Sequence, residues 1–234
     1  MLKLLAMAAL AVGIGAGAAG AQTVADIGMS GSDPRSGKAP KQAVIFFHGY
    51  TQRGSAMKSL ADTLAKRLPD AAFIYNDGPL EASGGRSWYV LRGEDTENTR
   101  AKAKQVATDT VKKVSEGLGV PYDQIVVVGF SQGGGMAFDG GSCVSPDVKA
   151  VVSLAGIIAN GDCAAEAGAK ANVLIVYNDS DPTVSRERIQ QFQDTLKDGG
   201  YASQLETFPG AAHWPVAAGL LRAQDFIVEQ LGAK

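Results

Sequence analysis

The sequence predicts an α/β fold, with a mainly parallel central sheet covered by helices on both faces. Two observations lead to this prediction. Short runs of consecutive apolar residues, rich in valine and isoleucine, recur along the chain, and amphipathic segments with helical spacing separate them. Strands that are apolar throughout are typical of parallel sheets buried on both sides. No internal repeat is visible, and we expect one domain without a large cap domain.

The expected elements alternate along the chain. Strands are predicted at 42–47, 71–75, 124–130, 149–156, 172–178 and 203–208. Helices are predicted at about 57–68, about 103–118, from near 131, about 184–197 and 215–231. Pro69 ends the first of these helices, and Gly119 with Pro121 ends the second. A long polar loop is expected at about 76–96.

The N-terminal segment predicts export. Lys3 is the only charged residue among the first 21, an apolar run follows it, and the run ends in the small-x-small pattern Ala19-Gly20-Ala21. The run is rich in glycine and alanine and only weakly hydrophobic, so a cleaved signal peptide (1–21) is favoured over a membrane anchor. We therefore expect a periplasmic or secreted protein, with a flexible lead-in at 22–40 and a catalytic domain at 41–234.

Composition argues against several classes of protein. The net charge is −2, so we expect no nucleic-acid partner. Two histidines and two cysteines, scattered along the chain, give no metal-ligand spacing, so we expect no metal. The G-x-G-x-x-G match at 15–20 belongs to the signal peptide, and we expect no dinucleotide or other cofactor. After signal cleavage we expect no stable membrane insertion. Cys143 and Cys163 either form a disulfide or remain separate thiols, and the sequence leaves this open.

The segment "VVVGFSQGGGMAF" at 126–138 is the strongest functional signal. It places Gly-x-Ser-x-Gly between a predicted strand and a helix-compatible segment. In that context Ser131 is expected on a tight, strained turn, with Gly129 and Gly133 allowing close backbone approach. A phosphate-binding loop would instead need Lys and Ser/Thr after the last glycine, where Met136 and Ala137 stand. Ser131 is therefore the candidate nucleophile.

A serine nucleophile needs a base and an acid. The chain has only His48 and His213, and the order nucleophile, acid, histidine of α/β-hydrolases selects His213 as base. His48 is then expected to be a structural residue. The acid should follow the strand at 172–178, where Asp181 is favoured over Asp179, whose alternative role is in turn or cap chemistry.

The oxyanion of a tetrahedral intermediate needs two backbone N–H donors. One is expected from Gln132, directly after the nucleophile, and the other from the loop that follows the 42–47 strand. Tyr50 is the favoured residue of that loop, with Thr51 as the alternative.

These motifs resemble the phospholipase/carboxylesterase family of α/β-hydrolases, which includes the acyl-protein thioesterases. The similar stretches are "FFHGYTQRG" (46–54), "GGRSWYVL" (84–91), "GFSQGGGMAF" (129–138), "NDSDPTVS" (178–185) and "GAAHWP" (210–215). The resemblance covers about 40–232 and implies Ser131, Asp181 and His213 as catalytic residues, with the Tyr50 and Gln132 amides as oxyanion donors.

The sequence departs from the family pattern at 51–53, where Thr-Gln-Arg replaces Gly-Asp-x. Arg53 is accordingly a candidate for the substrate pocket. Trp88 and Tyr89 of the 76–98 loop are candidates for the pocket rim, with plain packing of Trp88 against the sheet as the alternative. The signal peptide is also unlike the cytosolic thioesterases, so their depalmitoylation activity does not transfer directly.

The sequence thus predicts an exported serine carboxylic-ester hydrolase that works through an acyl-enzyme. Its partner is a small-molecule or lipid-like ester. The loop at 76–98 lacks an apolar helical stripe that could form a lid, so we expect an open site and short-acyl esters. The alternatives are a polyester depolymerase, a polysaccharide acyl esterase, or a catalytically silent binding protein. Acyl and alcohol specificity, ester versus thioester preference and oligomeric state stay open.

Overall fold

The computed structural model describes residues 22–144, 147–156 and 170–232. A seven-stranded sheet organises them. Its strands are β1 (Gly31–Ser32), β2 (Gln42–Phe47), β3 (Ala71–Ile74), β6 (Ile125–Phe130), β7 (Ala150–Leu154), β8 (Asn172–Asn178) and β9 (Ser203–Phe208). Their order across the sheet is β1-β3-β2-β6-β7-β8-β9. Every neighbouring pair is parallel except β1 with β3. The predicted mainly parallel α/β fold is therefore confirmed.

Helices cover both faces of this sheet. They are α1 (Lys58–Leu64), α2 (Thr96–Leu118), α3 (Gln132–Ser142), α4 (Arg186–Asp198) and α5 (Ala217–Gln230). In β2, Ile45 and Phe47 point to the cluster formed with α2, α3 and α4, whereas Val44 and Phe46 point to the cluster formed with α1 and α5. Because successive side chains of a strand point to opposite faces, an apolar run such as β2 is buried on both sides.

The segment between β3 and α2 holds a hairpin that the sequence does not predict. Strands β4 (Leu80–Ala82) and β5 (Gly85–Ser87) pair antiparallel inside the expected loop. Each strand has three residues and carries a charged side chain, Glu81 or Arg86, at its centre. Such a short polar strand leaves no hydrophobic periodicity to detect.

The lead-in at 22–40 is more closely packed than the expected flexible segment. Val24 and Ile27 are buried in the core, and β1 extends the sheet beyond β3. Two isolated apolar residues in a polar stretch give no periodic pattern, so their burial depends on long-range contacts that the sequence does not reveal.

Some sequence predictions fall outside this description. Residues 1–21 and Cys163 are not among the described residues, whereas Cys143 is disulfide-bonded. Within the three described ranges, no helix is both long and apolar enough to cross a membrane.

Candidate active site

Ser131 occupies the sharp turn between β6 and α3. Its backbone has φ 53° and ψ −117°, a conformation that is strained for a non-glycine residue. Its N–H donates to the carbonyl of Leu154 at 2.9 Å and its carbonyl accepts from the N–H of Gly134 at 2.9 Å. These two bonds hold the strained backbone at the carboxyl-terminal edge of the sheet.

Two glycines make this turn sterically feasible. A Cβ at Gly133 would lie 2.0 Å from the carbonyl oxygen of Phe47, and a Cβ at Gly129 would lie 1.8 Å from that of Gly133. Both contacts are with backbone atoms and cannot be relieved by a side-chain rotation. The turn therefore requires glycine at both positions, as the sequence pattern predicts.

Two consecutive hydrogen bonds connect Ser131 to His213 and His213 to Asp181. The Ser131 Oγ lies 2.7 Å from His213 Nε2, and His213 Nδ1 lies 2.7 Å from Asp181 Oδ2. The other Asp181 oxygen accepts from the N–H groups of Thr183 (2.7 Å) and Val184 (3.1 Å), and the Asp181 side chain is completely buried. A carboxylate can only accept, so Nδ1 carries the hydrogen and Nε2 accepts from the serine hydroxyl.

Asn178 supports the loop between β9 and α5 that carries His213 (209–216, the histidine loop), and the sequence analysis missed this role. Its Nδ2 donates to the carbonyls of Ala212 (2.7 Å) and Trp214 (3.0 Å), the residues on either side of His213, and its Oδ1 accepts from the Val216 N–H. The sequence offered only a weak signal, a polar residue at the end of the apolar strand β8, and the structure shows Asn178 to be fully buried.

Asp179 has a different role from Asp181. Its Oδ1 accepts from the N–H of Gly210 at 3.1 Å and from the hydroxyl of Ser180 at 3.0 Å. Both hydrogen bonds lower the pKa of the Asp179 carboxyl, and the bond from the Gly210 N–H has the larger effect. Asp179 therefore braces the start of the histidine loop and does not contact His213.

The expected oxyanion donors differ in whether their N–H groups already have a hydrogen-bond acceptor. The Thr51 N–H donates to the carbonyl of Arg86 at 2.9 Å and is occupied. The N–H groups of Tyr50 and Gln132 have no acceptor within the described part of the chain. This leaves Tyr50, rather than Thr51, as the candidate from the loop after β2.

The side chain of Gln132 joins the nucleophile turn to the segment that follows β5. Its Nε2 donates to the carbonyl of Tyr89 (2.8 Å) and its Oε1 accepts from the N–H of Trp88 (3.0 Å). The hydroxyl of Ser87 contacts both ends of the same amide. Gln132 is buried, so this network fixes the 87–89 segment relative to Ser131.

Of the three predicted pocket residues, Tyr89 lines the cavity at Ser131, whereas Trp88 and Arg53 lie away from it. The buried indole of Trp88 donates through Nε1 to the carbonyl of His48 at 2.8 Å and packs edge-on against Phe47. Arg53 pairs with Asp77 at 2.8 Å. Trp88 thus has the packing role that was the alternative interpretation.

The cavity that contains Ser131 and His213 has a volume of about 430 Å³. Its remaining lining residues are Tyr50, Tyr89, Leu91, Arg92, Gln132, Gly156, Thr183, Val184 and Arg188. A second cavity of about 380 Å³ lies over the β4–β5 hairpin and shares Tyr50, Tyr89, Leu91 and Arg92 with the first. The two cavities form one extended cleft.

No cluster of three or more histidine, cysteine, aspartate or glutamate side chains suited to a metal ion occurs in residues 22–144, 147–156 and 170–232.

The mainly parallel sheet, the strained serine turn and the Ser-His-Asp hydrogen bonds define a serine hydrolase of the α/β class. Residues 34–231 match the family model described as Phospholipase/Carboxylesterase, and the chain belongs to this family.

Relatives and solved structures agree with this family. The chain is 26% identical over 212 residues to acyl-protein thioesterase 1 of Neurospora crassa, covering 80% of this chain and 86% of the relative. It is 26% identical over 216 residues to the protein of the same name from Gibberella zeae, covering 82% and 91%. The crystal structure of esterase PE8 superposes with a TM-score of 0.78 at 26% identity, covering 87% of this chain and 98% of that one.

Proposed function

We propose that this protein is an exported carboxylic-ester hydrolase in which Ser131, His213 and Asp181 act as nucleophile, base and acid. The observation that carries the proposal is the Ser131 Oγ to His213 Nε2 distance of 2.7 Å, on a turn that exposes the hydroxyl to a cavity. A hydrogen bond of this length allows the imidazole to take the serine proton as the oxygen attacks.

The reaction proceeds in two halves. Ser131 attacks the ester carbonyl while His213 removes its proton, and the resulting imidazolium then protonates the departing alcohol. The acyl group remains on Ser131 until a water molecule, deprotonated by His213, releases the carboxylic acid. Asp181 keeps the hydrogen on Nδ1 and stabilises the imidazolium in both halves.

The tetrahedral intermediates carry a negative charge that backbone donors stabilise. The N–H groups of Tyr50 and Gln132 are the proposed oxyanion donors, because neither is used by another described residue. Gln132 begins α3, so the positive end of that helix adds to the stabilisation.

The first experiment asks whether Ser131 is the reactive group. A fluorophosphonate probe should label the folded protein once, and the labelled peptide should contain Ser131. Ser131→Ala should lose the label and reduce kcat on para-nitrophenyl butyrate by about 10⁴- to 10⁶-fold, since it removes the attacking atom. Ser180→Ala, which alters an exposed serine beside Asp179, is the matched control and should keep label and activity. Undiminished labelling of folded Ser131→Ala would refute the assignment, and failure of the folded wild-type protein to label would favour a silent binding protein.

Export rests on the sequence of residues 1–21. In a bacterial host that secretes through signal peptidase, the mature protein should begin at Gln22, directly after Ala21. N-terminal sequencing of the purified protein measures this, and a mature protein that retains Met1 or begins at residue 2 would contradict it.

The proposed substrates are short-acyl esters. The relatives named above are thioesterases, so a panel of para-nitrophenyl esters and matching thioesters of increasing chain length tests this specificity directly. Higher kcat/KM on long-chain thioesters than on short esters would overturn the proposed substrate range.

A further inference from the structure

Two arginines line the active-site cavity without a partner among the described residues. Arg92 lies in the loop before α2 and Arg188 in the first turn of α4, and both line the cavity that contains Ser131. Both residues are exposed. Neither guanidinium makes a hydrogen bond or an ion pair with a described residue, whereas Arg53, Arg86 and Arg222 are all paired.

Among the described residues, no carboxylate lines the cavity around these arginines. Asp181 lies behind His213 with both oxygens already hydrogen-bonded. Glu81, the acidic residue among the described lining residues of the adjoining cavity, is paired with Arg86. The chain carries a net charge of −2, yet the described residues that line this cleft carry a net positive charge. A concave surface of one charge sign concentrates ligands of the opposite sign.

We propose that the preferred esters carry a free carboxylate in addition to the ester group, and that Arg92 and Arg188 bind this carboxylate. The inference rests on the proposed ester hydrolase function and narrows its substrate class. A guanidinium presents paired N–H donors that match a carboxylate. The substrate class comprises half-esters of dicarboxylic acids and esters of hydroxy acids, including short oligomers of such acids.

The remaining cleft residues suit the uncharged part of such a substrate. Tyr50 and Leu91 are 41% and 46% exposed, and both line the two cavities. Burial raises the pKa of the Tyr89 phenol, so Tyr89 remains a neutral hydrogen-bond donor rather than a competing anion. An apolar or aromatic linker can therefore lie along Tyr50 and Leu91 while the carboxylate contacts an arginine.

The test compares esters that differ only in charge. One pair places the charge on the acyl side: the para-nitrophenyl monoester of adipic acid and its terminal carboxamide. The other pair places it on the alcohol side: meta-acetoxybenzoate and meta-acetoxybenzamide. We expect a kcat/KM ratio of carboxylate to carboxamide of about tenfold in at least one pair, since each partly exposed contact contributes up to about fivefold. Raising the NaCl concentration should lower this ratio, because salt screens exposed charges.

Substitutions test whether the two arginines cause the preference for the carboxylate over the carboxamide ester. Arg92→Gln and Arg188→Gln should each lower the ratio about threefold to fivefold, and the double variant should bring it close to one. Arg188→Lys should retain part of the preference because it keeps the charge. Arg186→Gln is the matched control: it removes an exposed arginine from the same first turn of α4, outside the cavity, and should leave the ratio unchanged.

A binding measurement separates this proposal from the proposed reaction. Calorimetric titration of Ser131→Ala with adipate and with adipamide requires no turnover, and adipate should bind more tightly only while Arg92 and Arg188 are present. Ratios near one in both ester pairs, together with equal binding of adipate and adipamide, would overturn the proposal even if neutral esters are hydrolysed. Selective adipate binding by a protein that hydrolyses no ester would instead support the charge recognition and refute the ester hydrolase function.

Discussion

The backbone N–H of Gly78 donates a hydrogen bond of 2.9 Å to Nε2 of the buried His48. The opposite nitrogen, Nδ1, therefore carries the hydrogen and donates to the carbonyl of Gly49 at 2.8 Å. The neutral ring thus bridges the loop after β2, which contains Tyr50, to the start of the hairpin segment. Protonation of Nε2 would set an N–H against the N–H of Gly78.

This bridge predicts a loss of stability at mildly acidic pH. Burial lowers the pKa of His48 below its ordinary 6.5. When the pH falls below about 6.5, the unfolded chain takes up a proton on His48 that the folded protein does not, so unfolding becomes easier. His48→Gln cannot titrate, but its side-chain oxygen can accept from Gly78. Urea unfolding at pH 8 and pH 5.5 should show a drop in unfolding free energy that is larger in the wild type, by up to about 1 kcal/mol. An equal drop in both proteins would contradict this role.

The two histidines should differ in their effects on activity. His213→Ala removes the group that contacts Ser131 and should reduce kcat by about 10⁴- to 10⁶-fold. His48→Gln keeps the contact with Gly78 and should cost less than about tenfold. Initial rates on para-nitrophenyl butyrate, with circular dichroism to verify folding, measure the difference. Equal losses in two folded variants would reassign the base.

Substitutions of the two aspartates, Asp179 and Asp181, should also differ in their effects on activity. Asp181→Asn removes the charge that stabilises the imidazolium and favours the wrong tautomer, so kcat should fall by about 10³- to 10⁴-fold. Asp179→Asn retains an oxygen that can accept from the Gly210 N–H and should cost less than about tenfold. If Asp179→Asn were the more damaging change at equal stability, the acid would be misassigned by two positions.

The nucleophile turn should not tolerate a methyl group. Gly133→Ala places a Cβ 2.0 Å from the Phe47 carbonyl oxygen and should lower the free energy of unfolding by at least about 3 kcal/mol. Gly37→Ala is the matched control, because Gly37 has φ +68° but no atom within 4 Å of the added Cβ. It should cost about 1 to 2 kcal/mol, for backbone strain alone. Thermal and urea unfolding measure both, and similar losses would show that the close approach does not matter.

The cleft should act on dissolved substrate without interfacial activation. The segment between β3 and α2 forms a hairpin and a loop, and the cavity at Ser131 has exposed Tyr50 and Leu91 on its rim. The rate on tributyrin should saturate smoothly as its concentration crosses the solubility limit. An abrupt rise when droplets form would reveal a lid and favour a true lipase.

The sequence predicts the sheet well because its strands are buried on both faces. Strands β2 and β8 are buried along almost their whole length and have the predicted bounds, and β3 and β6 differ from their predicted bounds by one residue. The nucleophile turn is equally predictable, since the Gly-x-Ser-x-Gly spacing follows from the backbone clash at Gly133. Residues at a strand end or turn, such as Asp181, share that predictability because the chain order fixes their position along the sheet edge.

Contacts made across the chain are harder to predict. Trp88 and Tyr89 are neighbours in sequence, but only Tyr89 lines the cavity, because Gln132 holds this segment with the indole turned towards His48. Arg188 reaches the cavity from the exposed polar face of the amphipathic helix α4, where the sequence marks no difference between it and its polar neighbours. Asn178 similarly supports His213 through partners more than thirty residues away in sequence. None of these pairings leaves a local pattern.

The hydrogen bonds of Gln132 have a consequence for redesign of the cleft. Residues 87–89 are tied to the turn that carries Ser131, so a library that varies them would alter the placement of the nucleophile together with the shape of the wall. Tyr50, Leu91 and Arg92 line the same cleft through exposed side chains. Directed evolution of new substrate preferences should therefore begin at these three positions, because their side chains can be varied without moving Ser131.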